Sequence, residues 1–477
     1  MATVSEAILL AFDLHAAGRL DEAETLYDRI LDADPEHPDA LHLSGILLGQ
    51  TGRLHDGLAR VAKAIARRPD SAEFHINHGN LLRAAGRADA AIDAYRQACA
   101  HGARHAADAL VDLLRDRGTR CLESKDPAGA EAAFAEASRL CPDDPRSVTG
   151  LADARFDQGA WGAAAAAYRA AFVLSPSSHM ILYNLGVAVC NAGRMEEAAI
   201  AFRRACVLKP DHMDAREYLV ATLFHCDRHE DATREADAIL SQKASDARQG
   251  RQDGPASPLP AQPSEGRTRR IISFSLWGSV PLYTQGALEN VRLAAEFYAG
   301  WTCRVYHDDS VPASVLGDLA GAGAELVRME PGSGPTQGLF WRFLASDDPT
   351  VSHFLCRDAD SRLNSREKAA VDDWIASGLP FHVMRDHIMH TDLMLAGMWG
   401  GRAGVLPPMA PLVRAVARSD GGRLQDQRFL GRFIWPLIED CCLVHDSAHA
   451  GHGHPFPPVS IDARFAFTHV GACVKSV

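Results

Sequence analysis

The sequence predicts two kinds of fold in series: an all-α array of repeated helix pairs, then an α/β domain. Three observations carry this. Pro35 and Pro69, and then Pro142, Pro176 and Pro210, recur in steps of 34 residues. Residues 244–268 are rich in Pro, Gly, Ser, Gln and Arg and lose all apolar periodicity. Beyond them, short β-rich runs alternate with helical patterns, and six of the seven tryptophans lie there.

Length and composition agree with a multidomain globular chain. At 477 residues it exceeds one ordinary core. Hydrophobic residues at 47% and charged residues at 23% exclude a mainly disordered or collagen-like chain. A net charge of −12 makes a broad phosphate-binding surface, and so a nucleic-acid partner, unexpected. Apolar runs are broken by charges well before 18 residues, so no transmembrane segment is expected. Met1 to Leu20 carries Glu6 and Asp13 without a basic start, unlike a secretory leader. The 11 cysteines are scattered with no CxxC pair, which suggests reduced thiols and a cytoplasmic location.

In the first half, Ala23–Tyr27–Pro35, Gly57–Val61–Pro69, Ala130–Phe134–Pro142, Ala164–Tyr168–Pro176 and Ala198–Phe202–Pro210 repeat in register, with Ala91–Tyr95 between. The step from Pro69 to Pro142 is 73 residues, two periods plus five inserted residues. A small residue suits a close helix crossing, an aromatic four residues on lies one turn along the same face, and proline stops the second helix. Gly18, Gly52, Gly86, Gly159 and Gly193 mark the turn inside each pair. Ala232–Ala236 begins a degenerate further copy. This pattern resembles the tetratricopeptide repeat (TPR), whose period is 34 residues. The resemblance covers six or seven copies over residues 1–243. It implies a superhelix whose groove binds a protein or peptide partner; a structural spacer is the alternative.

The second domain, 269–477, opens with strand Arg270–Gly278 and a helix from Thr284 to Ala299. Strand 302–309, helix Ala313–Ala322, strand 324–330, a helix around Gly338–Ala345 and strand 352–361 follow. Helix Arg366–Ala376 then leads to strand 380–387. Such alternation argues for a largely parallel sheet. Asp358 and Asp360 directly follow the hydrophobic strand SHFLCR, at the sheet edge where open α/β sheets bind ligands. Two carboxylates at i and i+2 can share one hard cation, Mn²⁺ or Mg²⁺, which can neutralise a departing diphosphate. A solvated turn capping the next helix is the structural alternative.

With that D-x-D, residues 270–477 resemble the GT-A-fold glycosyltransferases. The resemblance implies a nucleotide-sugar donor with Trp277 and Gly278 near its base or ribose, Asp308 and Asp309 near the nucleotide, and Arg342 facing it. It puts Gly397, Gly400 and Gly401 beside the donor sugar and the Asp426–Gln427 pair near the reaction centre, Asp426 as base or acceptor-positioning group. It makes His469 a third metal ligand and brings Lys475 to phosphate. Bland alternatives are an N-cap for Asp426, a core histidine for His469 and a surface salt bridge for Arg342. From the residues alone, Asp386, in the titratable run 384–392, is a candidate to serve the acceptor or sugar. His445, His449, His452 and His454 read as a polar loop. No GxSxG elbow and no GxxxxGK[ST] loop occurs.

The expected activity is metal-dependent transfer of a sugar to a polysaccharide, lipid-linked or protein acceptor, with the TPR half holding acceptor or partner. The alternatives are a TPR adaptor whose α/β domain only binds a ligand, and a metal-dependent phosphoryl-transfer or hydrolase domain.

Overall fold

The computed structural model describes residues 3–252, 266–330, 337–416, 425–449, 451–460, 462–465 and 469–473. It divides into two compact units, Met1–Asp211 and His212–Val477.

The first unit is six helical hairpins: α1 (Val4–Ala16) with α2 (Leu20–Ala33), α3 (Pro38–Gln50) with α4 (Leu54–Arg67), α5 (Ala72–Ala84) with α6 (Ala88–Ala100), α7 (Ala106–Glu123) with α8 (Pro127–Leu140), α9 (Pro145–Asp157) with α10 (Trp161–Leu174), and α11 (His179–Asn191) with α12 (Met195–Leu208). Thr3 and Glu6 start the array with a reciprocal capping box. Helices α2, α4, α8, α10 and α12 each end two residues before a repeat proline, because the residue before proline is pushed out of the helical region. Tyr27, Val61, Tyr95, Phe134, Tyr168 and Phe202 are at most 4% exposed. Several of these rings lie where the paired helix offers only glycine: a Cβ on Gly79 would stand 2.9 Å from Tyr95, and one on Gly186 2.5 Å from Phe202. Each ring buried this way contributes roughly 1.5–3 kcal/mol.

The five extra residues enter α7, which has 18 residues against 13 in α3, α5, α9 and α11. Gly18, Gly52, Gly86, Gly159 and Gly193 all take φ between +72° and +85°. In the fourth hairpin Lys125 holds this left-handed turn at φ 60°.

The second unit begins with a seventh hairpin, α13 (Met213–His225) and α14 (His229–Gln252), whose turn is Asp227 at φ 55°. Here the structure corrects the expected boundaries. Residues 244–252 are helix, not linker, and this hairpin belongs to the same compact unit as the sheet. Leu240 and Ala244 are buried in one core with Phe340, Phe343 and Trp435, and Arg248 pairs with Glu439 at 2.6 Å. Burial of one face overrides the polar composition of the other.

The sheet contains β1 (Arg269–Leu276), β2 (Thr302–His307), β3 (Glu325–Arg328), β4 (Val351–Arg357), β5 (Phe381–Arg385), β6 (Met398–Arg402) and β7 (Cys442–Asp446), in the order β3-β2-β1-β4-β6-β5-β7. It is mixed: β6 runs antiparallel to β4 and β5, and the remaining pairs are parallel. Ile272, Phe274 and Leu276 on β1 enter a core with residues of α15 (Pro281–Phe297), α16 (Ala313–Gly321) and α17 (Ser365–Ser377). Ile271 joins the other core, with Leu240 and the 3₁₀ segment Gln337–Asp347, where the sequence suggested a helix. Two short helices, α18 (Met409–Val416) and α19 (Gln425–Phe429), complete the part that shapes the site. His445 lies on β7 and His449 is bonded to Asp446, both buried, so these two are core histidines and not members of a polar loop.

Candidate functional site

Strand succession runs outward from β1 to β2 to β3, and then β4 is laid on the other side of β1. That reversal opens a crevice at the carboxyl ends of β1 and β4. A cavity of about 470 Å³ lies there, lined by Ser275, Trp277, Arg342, Asp358, Asp360 and Asp426 among others.

Arg342 is its hub. Ser273 and Ser275 project from the polar-patterned positions of β1. The Ser273 hydroxyl donates to the Arg342 carbonyl at 2.7 Å, and the Arg342 N–H donates to Ser275 Oγ at 2.9 Å. The backbone is thus held on both sides, and the guanidinium forks between two carboxylates. Nη1 donates to Asp358, just past β4, and Nη2 donates to Asp426 Oδ2 at 2.7 Å. The Arg342 Nε is buried with no hydrogen-bond partner among the described residues. Burial pushes the Asp426 carboxyl above the ordinary carboxylate range, against the pull of Arg342, with Asp358 adding to the rise.

Asp360 makes no side-chain hydrogen bond among the described residues, and both it and Asp358 are half-buried. Among the described residues no three His, Cys, Asp or Glu side chains are arranged to hold a metal ion. Two carboxylates on one cavity wall still fit a small hard cation, which takes its other oxygens from water and phosphate. Trp277 packs edge-on to Trp341, with centroids 6.3 Å apart, and covers Gly338, where a Cβ would stand 2.6 Å from its ring. It offers a half-open aromatic wall. Gln427 donates its backbone N–H to Asp426 Oδ1 at 3.0 Å, and the residue lines the cavity.

Other expected residues lie elsewhere. Asp386 accepts from Arg366 at 2.8 and 3.0 Å, from the Val470 N–H at 2.9 Å and from the Ser447 hydroxyl. Its oxygens are taken up in holding chain segments together, which makes it a scaffold carboxylate in place of the expected group serving acceptor or sugar. Gly400 and Gly401 sit inside the sheet, where a Cβ would meet the Phe354 carbonyl at 2.5 Å and the Phe381 ring at 2.6 Å; close packing, not the donor sugar, demands glycine there. Gly397 does border the site, because a Cβ there would strike the Asp358 carboxylate and stand 3.0 Å from its backbone nitrogen. Gly278 takes φ +71° and donates its N–H to Ser310 Oγ at 2.7 Å. Asp308 accepts from Ser310, and Asp309 pairs with Arg328 at 2.6 Å.

His469 meets no described metal partner. Its ring lies 4.5 Å from that of His387 and 4.9 Å from that of His390. Burial, reinforced by these neighbours, pulls the His387 imidazole down to about 4 and holds His390 well below its ordinary range. Lys475 lies outside the described residues.

Sequence reasoning missed Tyr283 and Leu339, which line the same cavity. Tyr283 sits in the first turn of α15, immediately after the β1 loop, and that position was the one available signal. It also missed a second cavity of about 330 Å³. Asp358 and Gln427 border both cavities, and the second is lined further by α13 and the turn 389–395.

Comparison with known proteins bears on the repeats. The tetratricopeptide repeat family matches residues 14–81, and again 115–179 and 149–213. No curated protein matches the chain. Similar solved structures include YrrB, a TPR protein with an unusual peptide-binding site, at 21% identity over 40% of this chain and 95% of that one, with a TM-score of 0.28. An O-GlcNAc transferase mutant of Thermobaculum terrenum is 19% identical over 53% of this chain and 46% of that one, TM-score 0.30. MamA of Desulfovibrio magneticus RS-1 is 17% identical over 36% of this chain and 96% of that one, TM-score 0.29. Among the described residues no helix is long and apolar enough to cross a membrane. The chain therefore carries tetratricopeptide repeats at its front, followed by a mixed-sheet domain.

Proposed function

We propose that the second unit is a metal-dependent glycosyltransferase of the GT-A kind, taking a nucleotide sugar as donor. The observation that carries this is the convergence of Asp358, Asp360, Arg342, Asp426, Gln427 and Trp277 on one cavity where the sheet order reverses. Asp358 and Asp360 would hold Mn²⁺ or Mg²⁺. Bound there, the cation would neutralise charge gathering on the diphosphate as it leaves.

The protein's own groups supply the rest. Trp277 offers a face for the base, and Arg342 gives a fixed positive charge beside the cavity. Asp426 acts through Arg342 as a positioning residue. The repeats favour a protein partner, so the front array is proposed to bind the acceptor or a partner; polysaccharide, lipid-linked and protein acceptors all remain within this reading. A cytoplasmic location is part of the proposal.

The test is release of nucleoside diphosphate from a panel of UDP- and GDP-sugars with Mn²⁺. Asp358→Asn with Asp360→Asn is expected to lower that release at least 100-fold and to abolish its metal dependence. Release that survives the double substitution unchanged would sink the assignment. One observation favours a second reading, a binding adaptor without catalysis: Asp358 and Asp426 are already paired to Arg342, and no third ligand is gathered among the described residues. Donor binding with no cleavage, with or without acceptor, would point to it.

A further inference from the structure

The second cavity lies within the second unit, between α13 and the turn 389–395, and meets the first cavity at Asp358 and Gln427. One wall is supplied by α13 through Glu217, Val220 and Ala221, the other by the turn and Met398. Lys243 of α14 spans the two walls, reaching Glu217 at 2.7 Å and Asp392 at 2.6 Å. The bridge is half-buried, with Lys243 18% exposed and its two carboxylate partners about a third exposed, and it ties the helical hairpin to the sheet domain.

The lining has a definite chemistry. Among the described residues it holds three carboxylates, Glu217, Asp358 and Asp392, and the His390 imidazole, with no lysine or arginine and no Phe, Tyr or Trp ring. Lys243 compensates one of the first and third, and Arg342 is shared between Asp358 and Asp426. Phosphate or an acidic side chain would meet like charge there. A glycan would find no Phe, Tyr or Trp face among the described residues. Ala221, Met389 and Leu395 give the short apolar patches that a peptide covers.

We propose that this cavity is the acceptor subsite, that it takes a Ser, Thr or Tyr hydroxyl of a neutral or basic peptide, and that the α13–α14 hairpin is a working part of the transferase. This rests on the transferase reading above. In the reaction the peptide oxygen bonds to C1 of the sugar while the bond from C1 to the diphosphate oxygen breaks. The diphosphate keeps the electron pair, and the hydroxyl proton passes to solvent.

The experiment uses the full chain, Mn²⁺ and whichever UDP- or GDP-sugar it cleaves. The acceptors are a hydroxyl-bearing peptide library free of acidic residues, its Asp/Glu-containing counterpart, an oligosaccharide and a polyprenyl phosphate. The expected result is transfer to the first set, with kcat/KM at least tenfold lower for the acidic set. Ala221→Trp should lower the ratio of transfer to hydrolysis at least tenfold. Asp392→Asn, which leaves the Glu217–Lys243 pair intact, should narrow the discrimination against acidic peptides at least threefold. The proposal is overturned if the oligosaccharide or the polyprenyl phosphate is the preferred acceptor, or if both variants leave these ratios alone while the wild type still cleaves donor. If the wild type cleaves no nucleotide sugar, the transferase reading fails and takes this one with it.

Discussion

Replacing Arg342 with methionine isolates the electrostatics of the site. The side chain is 6% exposed and serves two carboxylates of different standing. Asp358 is 42% exposed, so losing its partner costs at most about 1 kcal/mol. Asp426 is 8% exposed and would be left as a buried anion, which costs about 3–5 kcal/mol when it stays ionised. It escapes by binding a proton, and burial already inclines it that way. The sign follows. In Arg342→Met the folded state holds the Asp426 proton more tightly than the unfolded chain does. Stability therefore falls as pH rises from the unfolded pKa towards the raised folded one, by up to about 1.4 kcal/mol per pH unit. The assay is urea unfolding followed by tryptophan fluorescence, which reports on the second unit because six of the seven tryptophans belong to it. The expected loss is about 3–5 kcal/mol at pH 8 and clearly less at pH 5. Adding Asp426→Asn should restore about 2 kcal/mol at pH 8 and erase the extra pH slope. Equal losses at both pH values, with no recovery in the double variant, would refute the reasoning.

Three further outcomes are expected. Phe202→Ala should lower the stability of the first unit by about 3–5 kcal/mol in circular-dichroism unfolding, since the ring is fully buried against Gly186. Lys125→Gly should raise stability in the same assay by about 0.5–1 kcal/mol, because it relieves a left-handed lysine at some cost in unfolded-chain entropy. Gly397→Ala should cut metal-dependent donor cleavage at least tenfold by displacing the Asp358 carboxylate, with only a small change in melting temperature.

The repeat was readable because its punctuation is local. A proline that stops a helix and an alanine that admits a crossing act wherever they stand. Lys125 and Asp227 were illegible as turns because neither is glycine; both are exposed, and the turns are closed by backbone bonds from Asp126 N–H to the Cys121 carbonyl and from Arg228 N–H to the Leu223 carbonyl. The tail of α14 was misread for a related reason. Leu240, Ala244 and Ala247 mark its buried stripe, yet serine, glutamine and arginine dominate the composition, and the partner core lies far along the chain. In the site, Asp358 and Asp360 could be placed because a strand end is visible in sequence. Asp386 could not be told from a catalytic acid, because a cluster of titratable groups looks the same whether its charges serve a substrate or one another. The α13 wall of the second cavity had no sequence signal, since it comes from residues more than 130 positions before Asp358.

The seventh hairpin has a practical consequence for anyone who divides this protein. The proline-rich stretch after residue 252 invites the cut, yet scissors placed there would part the sheet domain from Leu240, Lys243 and Arg248, leaving Phe340 and Trp435 without part of their cover and Asp392 and Glu439 without their counter-ions. A grafted or shortened version of the chain should be spliced at Asp211–His212, so that α13 and α14 travel with the part they help to build.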